Sequence, residues 1–280
     1  MSGPRITVLI NTRNEERWIA DCVRSCSWAD EIVVADMSSS DNTRELAGRL
    51  GARIIQVPIA QCVELVRNQA MAECTGDWIF VVDADERVSP GLAALVQKTI
   101  RQQEADAYWV PRRNYLFEAA LQHTNWPDNQ LRLFRRGCAE WSGVVHQAAW
   151  IRGTTAEFPA DHSAALEHVG GFMDMTQWLQ KFARYAALEM ERTPRMSESE
   201  LLGLLIRRPI ADFLLRYFGG GWKDGLPGLI QCILLALYRV MIALNAYARQ
   251  RQEFQGGSPA EVRRWTKWEG VRTGVKLLRM

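Results

Sequence analysis

The first hundred residues alternate short apolar runs with segments in which apolar residues recur every three or four positions. Alternation of this kind is typical of βαβ units that build a parallel sheet with helices on its faces. We therefore predict an α/β fold. The predicted strands are 6–10, 31–35, 53–57 and 78–82, each followed by a helix.

Polar residues mark the predicted starts of these helices. The segment 12–15 matches a capping box, and Asn42 with Glu45 matches a second one. Ser89-Pro90 has the order of an N-cap followed by a first-turn proline. A further helix is predicted over 64–73.

Beyond residue 107 the pattern loosens, with predicted strands at 107–111, 130–134 and 148–152. From Met173 the chain becomes helical, with a polar break at 194–200. We predict a catalytic domain over 1–172, with a donor half over about 1–106 and an acceptor half over about 107–172. A helical, basic region follows over 173–280.

Charge is distributed unevenly along the chain. The net charge is +2, yet residues 201–280 carry 13 Lys or Arg and 5 Asp or Glu, which leaves a net charge of −6 on the rest. The apolar stretch 226–238 is shorter than the roughly 20 residues needed to span a bilayer. We expect amphipathic helices that lie on an anionic membrane surface. The alternative is a helical subdomain packed on the catalytic core.

The N-terminus and the cysteines bear on the compartment. The first residues lead directly into an apolar run, without the basic and apolar regions of a signal peptide. Six cysteines show no CxxC spacing, and Cys22 and Cys26 are interpreted as buried apolar residues. We expect a cytoplasmic protein, peripheral on the inner face of the cytoplasmic membrane.

Candidate chemistry lies where the predicted strands end. Asp83 and Asp85 follow the fourth strand, Asp36 the second and Asn14 the first. In an open parallel sheet, ligands bind at the carboxyl ends of the strands. Two carboxylates separated by one residue can share a divalent cation and a nucleotide. Asp36 would contact a base or form a turn, and Arg67 would clamp phosphate or lie in solvent.

Five segments together resemble the ordered motifs of family-2 glycosyltransferases: 12–16, 28–36, 67–70, 76–78 and 83–86. They are similar in particular to the bacterial branch that includes lipopolysaccharide-core β-glucosyltransferases. Segments 126–134 and 143–146 also resemble this branch. The resemblance covers about residues 5–170.

The resemblance implies a GT-A fold, which is Rossmann-like, with a mostly parallel central sheet. It implies an inverting, metal-dependent transfer of a hexose from a nucleotide-diphosphate sugar, with a UDP-sugar preferred and Mg²⁺ or Mn²⁺ as cofactor. The expected acceptor is an envelope glycolipid, a lipopolysaccharide core or a lipid-linked saccharide, and no nucleic-acid partner is expected. Motif positions imply donor contacts by Thr12, Asn14, Glu15, Asp36, Arg67 and Asp83. They imply metal contacts by Asp83 and Asp85.

The general base is less determined. The branch commonly has glutamate after the histidine of the 143–146 motif, whereas this chain has Gln147, which cannot take a proton at neutral pH. Inverting displacement needs a base within reach of the acceptor hydroxyl. The candidates are Asp128, Glu140 and His146, of which we favour Asp128. The remaining histidines are interpreted as structural: His123, His162 and His168.

Two other functions use similar features. A nucleotidyltransferase also binds metal with carboxylates at a sheet edge, but it should carry a glycine-rich loop, and residues 11–17 contain no glycine. A sugar-nucleotide-binding scaffold without a base would share the donor residues, and Gln147 is compatible with it.

Overall fold

The computed structural model of the protein describes residues 3–60, 63–142, 148–171, 173–190 and 195–255. The strands are β1 (Ile6–Thr12), β2 (Glu31–Asp36), β3 (Arg53–Gln56), β4 (Trp78–Asp83), β5 (Glu86–Val88), β6 (Ala107–Leu116), β7 (Ala119–Ala120), β8 (Asp128–Arg135), β9 (Ala139–Glu140), β10 (Trp150–Ile151), β11 (Thr155–Glu157) and β12 (Leu166–His168). The α-helices are α1 (Ile19–Ser25), α2 (Thr43–Arg49), α3 (Glu64–Ala72), α4 (Pro90–Gln102), α5 (Met175–Met190), α6 (Glu198–Leu202), α7 (Arg208–Phe218) and α8 (Gly225–Gln255).

A single mixed sheet organises the α/β part. Its strand order is β3-β2-β1-β4-β8-β6-β12-β5, with β7 and β11 paired to β6. The first four strands in this order are mutually parallel, and β8 joins them antiparallel. The predicted α/β fold with helices on the sheet faces is therefore confirmed.

Both faces of the parallel strands are buried. On β1, Val8 and Ile10 belong to one core cluster, while Leu9 belongs to the cluster on the other face with Val66 of α3. Side chains alternate between faces along a strand, so continuous apolar runs fill both layers. Cys22 is buried in the first cluster, as expected.

The strand register brings the polar ends together. Asn11 of β1 lies opposite Asp83 of β4, and Thr12 lies opposite Asp36 of β2. These strands extend one or two residues beyond the predicted ends. The chemistry-bearing residues therefore lie at one edge of the sheet.

Two predicted capping boxes were wrong. Thr12 remains in β1, and α1 begins only at Ile19 without a side-chain cap. Asn42 precedes α2 but donates its amide to Glu16 (3.1 Å) instead of capping the helix. The prediction at Ser89 is confirmed, because its hydroxyl accepts from the amide of Leu92 at 3.3 Å.

The helical region packs on itself and on the sheet. Tyr238 of α8 stacks edge-on against Phe182 of α5, and Arg239 of α8 donates to Asp212 of α7 at 2.8 Å. Asp224, just before α8, accepts from the backbone amides of residues 122–124 at 2.6–3.2 Å. The region is thereby fixed to the loop between β7 and β8.

Helix α8 is longer than the apolar stretch considered from sequence. Within Gly221–Arg251, the best window has a mean hydropathy of 1.9 and is 39% buried, so the helix is long and apolar enough to cross a membrane. A core helix of a soluble protein commonly has the same properties. Arg239 lies within α8 without interrupting it, since arginine is a good helix former, and it pairs with Asp212.

Candidate active site

A cavity of about 880 Å³ opens at the carboxyl ends of β1 and β4. Its sheet side is formed by residues of β1, β4, β6 and β8. Residues of α3 contribute a second side, and residues of α5 and α8 close it from the helical region. The helices that we assigned to a separate region thus form part of the cavity wall.

Asp83 is held by two arginines at the floor of this cavity. One carboxylate oxygen accepts from Arg67 at 3.2 Å and the other from Arg132 at 2.6 Å. Burial raises the pKa of Asp83, but Arg132 and Arg67 lower it well below its usual range. Both oxygens therefore accept from arginine, and Asp83 is ionised.

Glu86 also pairs with Arg132, the arginine that binds Asp83. Its side chain is fully buried, and one oxygen accepts from Arg132 (2.9 Å) and Arg112 (3.1 Å). Its other oxygen accepts from the amide of Asp83 at 3.0 Å. Buried charges persist only when they are paired and hydrogen-bonded. This network fixes the turn that carries Asp85.

Asp85 lies against a histidine that sequence reasoning interpreted as structural. Its carboxylate is 3.2 Å from Nε2 of His168, at the end of β12. Burial raises the pKa of Asp85, but His168 lowers it below its usual range. The pair lines the cavity.

A chain of hydrogen bonds orients the His168 ring. Nδ1 of His168 lies 2.9 Å from Oδ1 of Asn114. The other amide atom of Asn114, Nδ2, donates to Asp128 at 3.0 Å, so Oδ1 is left as the acceptor. His168 must then carry its proton on Nδ1. Nε2 is the ring nitrogen that faces Asp85, so it is the one placed to bind a metal together with that carboxylate.

These side chains fit a divalent cation that binds together with a diphosphate. Asp85 and His168 supply one carboxylate and one imidazole. Within the described ranges, no group of three or more His, Cys, Asp or Glu is placed to hold a metal. Metals that act on nucleotides bind through one or two protein ligands and take the rest from phosphate and water. The pair suits such a site.

Two glycines allow the backbone to pass close to this pair. A Cβ on Gly170 would lie 2.5 Å from the Cβ of Asp85, and one on Gly171 would overlap the His168 ring. The amides of Val169 and Gly170 donate to the carbonyl of Asp85 at 3.1 and 3.2 Å. This close approach leads the chain from β12 into α5.

Glu15 and Lys181 face each other across the cavity from the N-terminal loop and from α5. Burial raises the pKa of Glu15 to about 8, and Asp85 adds to the rise. Burial lowers the pKa of Lys181, but Asp85 and other anionic neighbours raise it overall. At neutral pH Glu15 is protonated and Lys181 is cationic.

The side chains of Asn11 and Thr12 carry polar atoms that are not hydrogen-bonded to the described residues. Both residues are buried and line the cavity. Both amide atoms of Asn11 and the hydroxyl of Thr12 lack a hydrogen-bond partner in the described part of the chain. An unpaired buried polar group costs about 1–3 kcal/mol, which a bound ligand would recover.

Residues 7–154 match the family model described as glycosyl transferase family 2. The chain belongs to this family. Its membership decides against the nucleotidyltransferase alternative and identifies the sheet as the GT-A fold expected from sequence.

Relatives at the sequence level include the lipopolysaccharide core biosynthesis glycosyltransferase LpsC of Rhizobium meliloti. It is 28% identical over 257 residues, which cover 87% of this chain and 92% of LpsC. An uncharacterized glycosyltransferase of Rickettsia felis is 32% identical over 133 residues. That match covers 46% of this chain and 44% of the relative.

Similar solved structures include S. aureus TarS, residues 1–349, with a TM-score of 0.48 at 15% identity, over 91% of this chain and 93% of TarS. TarS was also solved in complex with UDP and with UDP-GlcNAc. The glucosyl-3-phosphoglycerate synthase of Mycobacterium tuberculosis, in complex with Mn²⁺ and UDP, gives a TM-score of 0.36 at 23% identity, over 40% of this chain and 45% of that protein.

Several of the predicted donor and metal residues in this glycosyltransferase line the cavity: Thr12, Glu15, Arg67, Asp83 and Asp85. Two other predicted donor residues, Asp36 and Asn14, are not among its described lining residues. Asp36 is fully buried and accepts from the amide of Ser39 at 3.0 Å, which is the turn-forming alternative. Asn14 accepts from the amide of Ser40 at 2.8 Å and supports the same loop.

The candidates for the base are separated by the fold. Asp128 lines the cavity, but one of its oxygens accepts from Arg112 at 2.7 and 2.9 Å. Glu140 is exposed and lies 3.8 Å from Arg152. His146 and Gln147 lie outside the described residues.

Among the cavity residues that the sequence reasoning missed are Asn11, His168 and Lys181. The glycine pair after His168 was a usable signal, because adjacent glycines often mark a close backbone approach. Lys181 carried no signal, since one lysine on a polar helix face is indistinguishable from a solvated one. The other histidines interpreted as structural, His123 and His162, are not among the described lining residues, and His162 stacks on Trp126 with ring centroids 4.0 Å apart.

Proposed function

We propose that this family 2 glycosyltransferase transfers a hexose, with inversion, from a nucleotide-diphosphate sugar to an envelope glycolipid, a lipopolysaccharide core or a lipid-linked saccharide. A UDP-sugar is the proposed donor. The observation that carries the proposal is the distance of 3.2 Å between the Asp85 carboxylate and Nε2 of His168. This pair lies beside Asp83, which accepts hydrogen bonds from two arginines at the carboxyl ends of parallel strands. The similarity to LpsC over most of both chains supports the acceptor class.

Asp85 and His168 would hold Mg²⁺ or Mn²⁺, and the bound ion would supply positive charge to the leaving diphosphate. Lys181 adds a second cation to the same cavity from α5. Asn11 and Thr12 present unpaired polar atoms to the donor at the end of β1. Asp83, held by Arg67 and Arg132, fixes the position of Asp85 and is not itself a metal ligand in this proposal.

Asp128 acts in this proposal as a positioning residue. Its bonds to Arg112 and Asn114 lower its pKa below the usual range despite burial. A carboxylate with a depressed pKa is a weak base. Its hydrogen bond to Asn114 instead sets which nitrogen of His168 bonds that amide and which faces Asp85.

We also propose that the enzyme binds peripherally to the inner face of the cytoplasmic membrane. Along α6 to α7, exposed apolar side chains recur every four residues: Leu202, Ile206, Ile210, Leu214 and Phe218. Arg207 and Arg208 are exposed beside this stripe. Apolar residues flanked by cations are typical of helices that lie in a lipid interface.

A thermal-shift screen of nucleotide sugars with and without Mn²⁺ tests the donor half, because a ligand that binds only the native state raises the melting temperature. A UDP-sugar should give a metal-dependent rise, and release of UDP on incubation should follow. Tight binding without turnover would instead support the scaffold alternative. Failure of every nucleotide sugar to bind would contradict the proposed function.

A further inference from the structure

We propose that the acceptor saccharide binds between β6/β8 and the helices α5/α8, with the Gln231 side chain bonding its hydroxyl groups. The inference rests on the proposed function. It names a residue for acceptor binding and gives the helical region a direct part in it.

Gln231 is a polar residue inside an otherwise apolar part of α8. It is only 2% exposed and lines the cavity. Its Oε1 atom lacks a hydrogen-bond partner among the residues described here. A buried amide without a partner lowers the stability of the free protein, so an apolar residue would serve packing better at this position. The unpaired oxygen is instead suited to receive a hydroxyl hydrogen from a ligand.

The elements around Gln231 carry several carboxamides that line the cavity. Besides Gln231 they are Asn129 and Gln130 of β8, Gln180 of α5 and Asn125 of the loop before β8. Carboxamides both donate and accept hydrogen bonds and carry no charge, which matches the hydroxyl groups of a sugar. These uncharged groups suit a neutral polyhydroxylated ligand, whereas the paired charges around Asp83 and Asp85 suit a diphosphate.

The amide-lined side is held in place by the helical region. Asn125 accepts from Arg216 of α7 at 2.5 Å. Asp224 fixes the preceding backbone by accepting from the amide of Thr124 at 2.6 Å. The loop that begins this side and the helix that carries Gln231 are thus tied together. The sugar site is preformed rather than assembled by the ligand.

The test replaces Gln231 by methionine, which has a similar length and helix propensity. The matched control is Gln250→Met, on the same helix, where Oε1 also has no partner among the described residues and which is not among the described cavity residues. Transfer from a UDP-sugar is measured to core oligosaccharide released from rough-type lipopolysaccharide and to octyl glucoside. Donor hydrolysis without acceptor and the melting temperature are measured alongside.

For Gln231→Met we expect an acceptor KM raised about tenfold, with donor hydrolysis and the KM for the donor unchanged. The melting temperature should stay equal to that of the wild type or rise, as in the control. A fall in the melting temperature of Gln231→Met alone, or an unchanged acceptor KM, would overturn the inference. Wild-type enzyme that hydrolyses the donor but glycosylates neither saccharide would also overturn it. Absence of any donor binding by the wild type would instead refute the proposed function.

Discussion

The sheet edge holds paired charges in its interior, whereas the helical region exposes large apolar side chains to the outside. At the sheet edge, Glu86 and Arg132 are buried and Asp83 is partly exposed, and Arg132 pairs with both carboxylates. Along α6 and α7, large apolar side chains face outward, with Phe218 69% exposed. Outside the helical region, the described large apolar residues that are exposed lie scattered: Leu50, Ile59, Leu65, Phe117 and Trp150.

The two regions carry different free-energy costs. Burying charge is costly and is repaid only by fixed partners, so the sheet edge holds its charges in one arrangement. Exposing large apolar side chains is unfavourable in water, and a patch of them is typical of a surface that binds a partner or a membrane. The α/β part therefore holds the paired charges, whereas the helices combine the cavity wall of α5 and α8 with exposed apolar side chains on α6 and α7.

The largest expected effect tests the charged region. Asp85→Asn removes one of the two proposed metal ligands, and kcat/KM should fall about 100- to 1000-fold because the leaving diphosphate loses its counter-charge. Calorimetric titration with Mn²⁺ in the presence of UDP should show no binding. Asp21→Asn, an exposed carboxylate on α1, serves as the control and should retain full activity. Full activity of Asp85→Asn would show that the charges at the sheet edge are structural.

The next effect tests the apolar stripe. The double variant Leu214→Glu/Phe218→Glu should lower binding to anionic vesicles about 10- to 100-fold, because a side chain only partly buried in a lipid interface contributes less than the about 1.5–3 kcal/mol of full burial. Sedimentation with vesicles measures it. The control is Leu50→Glu/Ile59→Glu on the α/β part, where both apolar residues are exposed. Equal binding by both double variants would refute the membrane proposal. If the wild type were a dimer and the Leu214→Glu/Phe218→Glu variant a monomer, the stripe would be assigned to contact with a second copy.

A smaller effect separates the two roles of Asp128. Asp128→Asn should weaken Mn²⁺ binding about tenfold, because outer partners of metal ligands typically contribute 10- to 100-fold. The acidic limb of the pH–rate profile, where a general base would titrate, should keep its shape. If Asp128 were the general base, metal binding would be unchanged and turnover would be abolished at every pH. Glu140→Gln, the exposed alternative, should behave like the wild type.

The smallest effect concerns stability at the opposite end of the parallel strands. Burial raises the pKa of Glu31, but bonds from Thr7, Thr75 and Arg53 lower it to about 2. The stabilisation is therefore present above the usual pKa near 4.5 and is lost as the pH falls towards 2. Glu31→Gln should cost about 1 kcal/mol at pH 7, or about 2–4 °C in melting temperature. The difference from wild type should vanish near pH 2.

The control for this prediction is Glu45→Gln, in an exposed i,i+4 pair with Arg49 on α2. Exposed pairs contribute little, so its melting temperature should follow the wild type at every pH. An equal loss in both variants would show that the Glu31 contacts act as an ordinary surface pair.

The sequence of apolar runs was sufficient to predict the parallel strands, because a strand buried on both faces must be continuously apolar. Asp83 and Asp85 were found for the same reason, since they follow such a run directly. The capping box at Thr12 failed because strand pairing with Asp36 extends β1 past the local signal. Where a capping pattern and the hydrogen bonds of a strand pair would use the same residues, the strand pair forms instead.

By itself, the sequence determined the parallel strands, the polar residues at their carboxyl ends and the family, since these depend on local pattern and on motif order. Tertiary structure alone decided that His168 meets Asp85, across 83 positions of chain, and that α5 and α8 bring Lys181 and Gln231 to the same cavity. It also decided that Asp36 faces its own turn and that Asp128 bonds Asn114. Contacts between distant segments depend on how whole elements pack, and no local pattern encodes that.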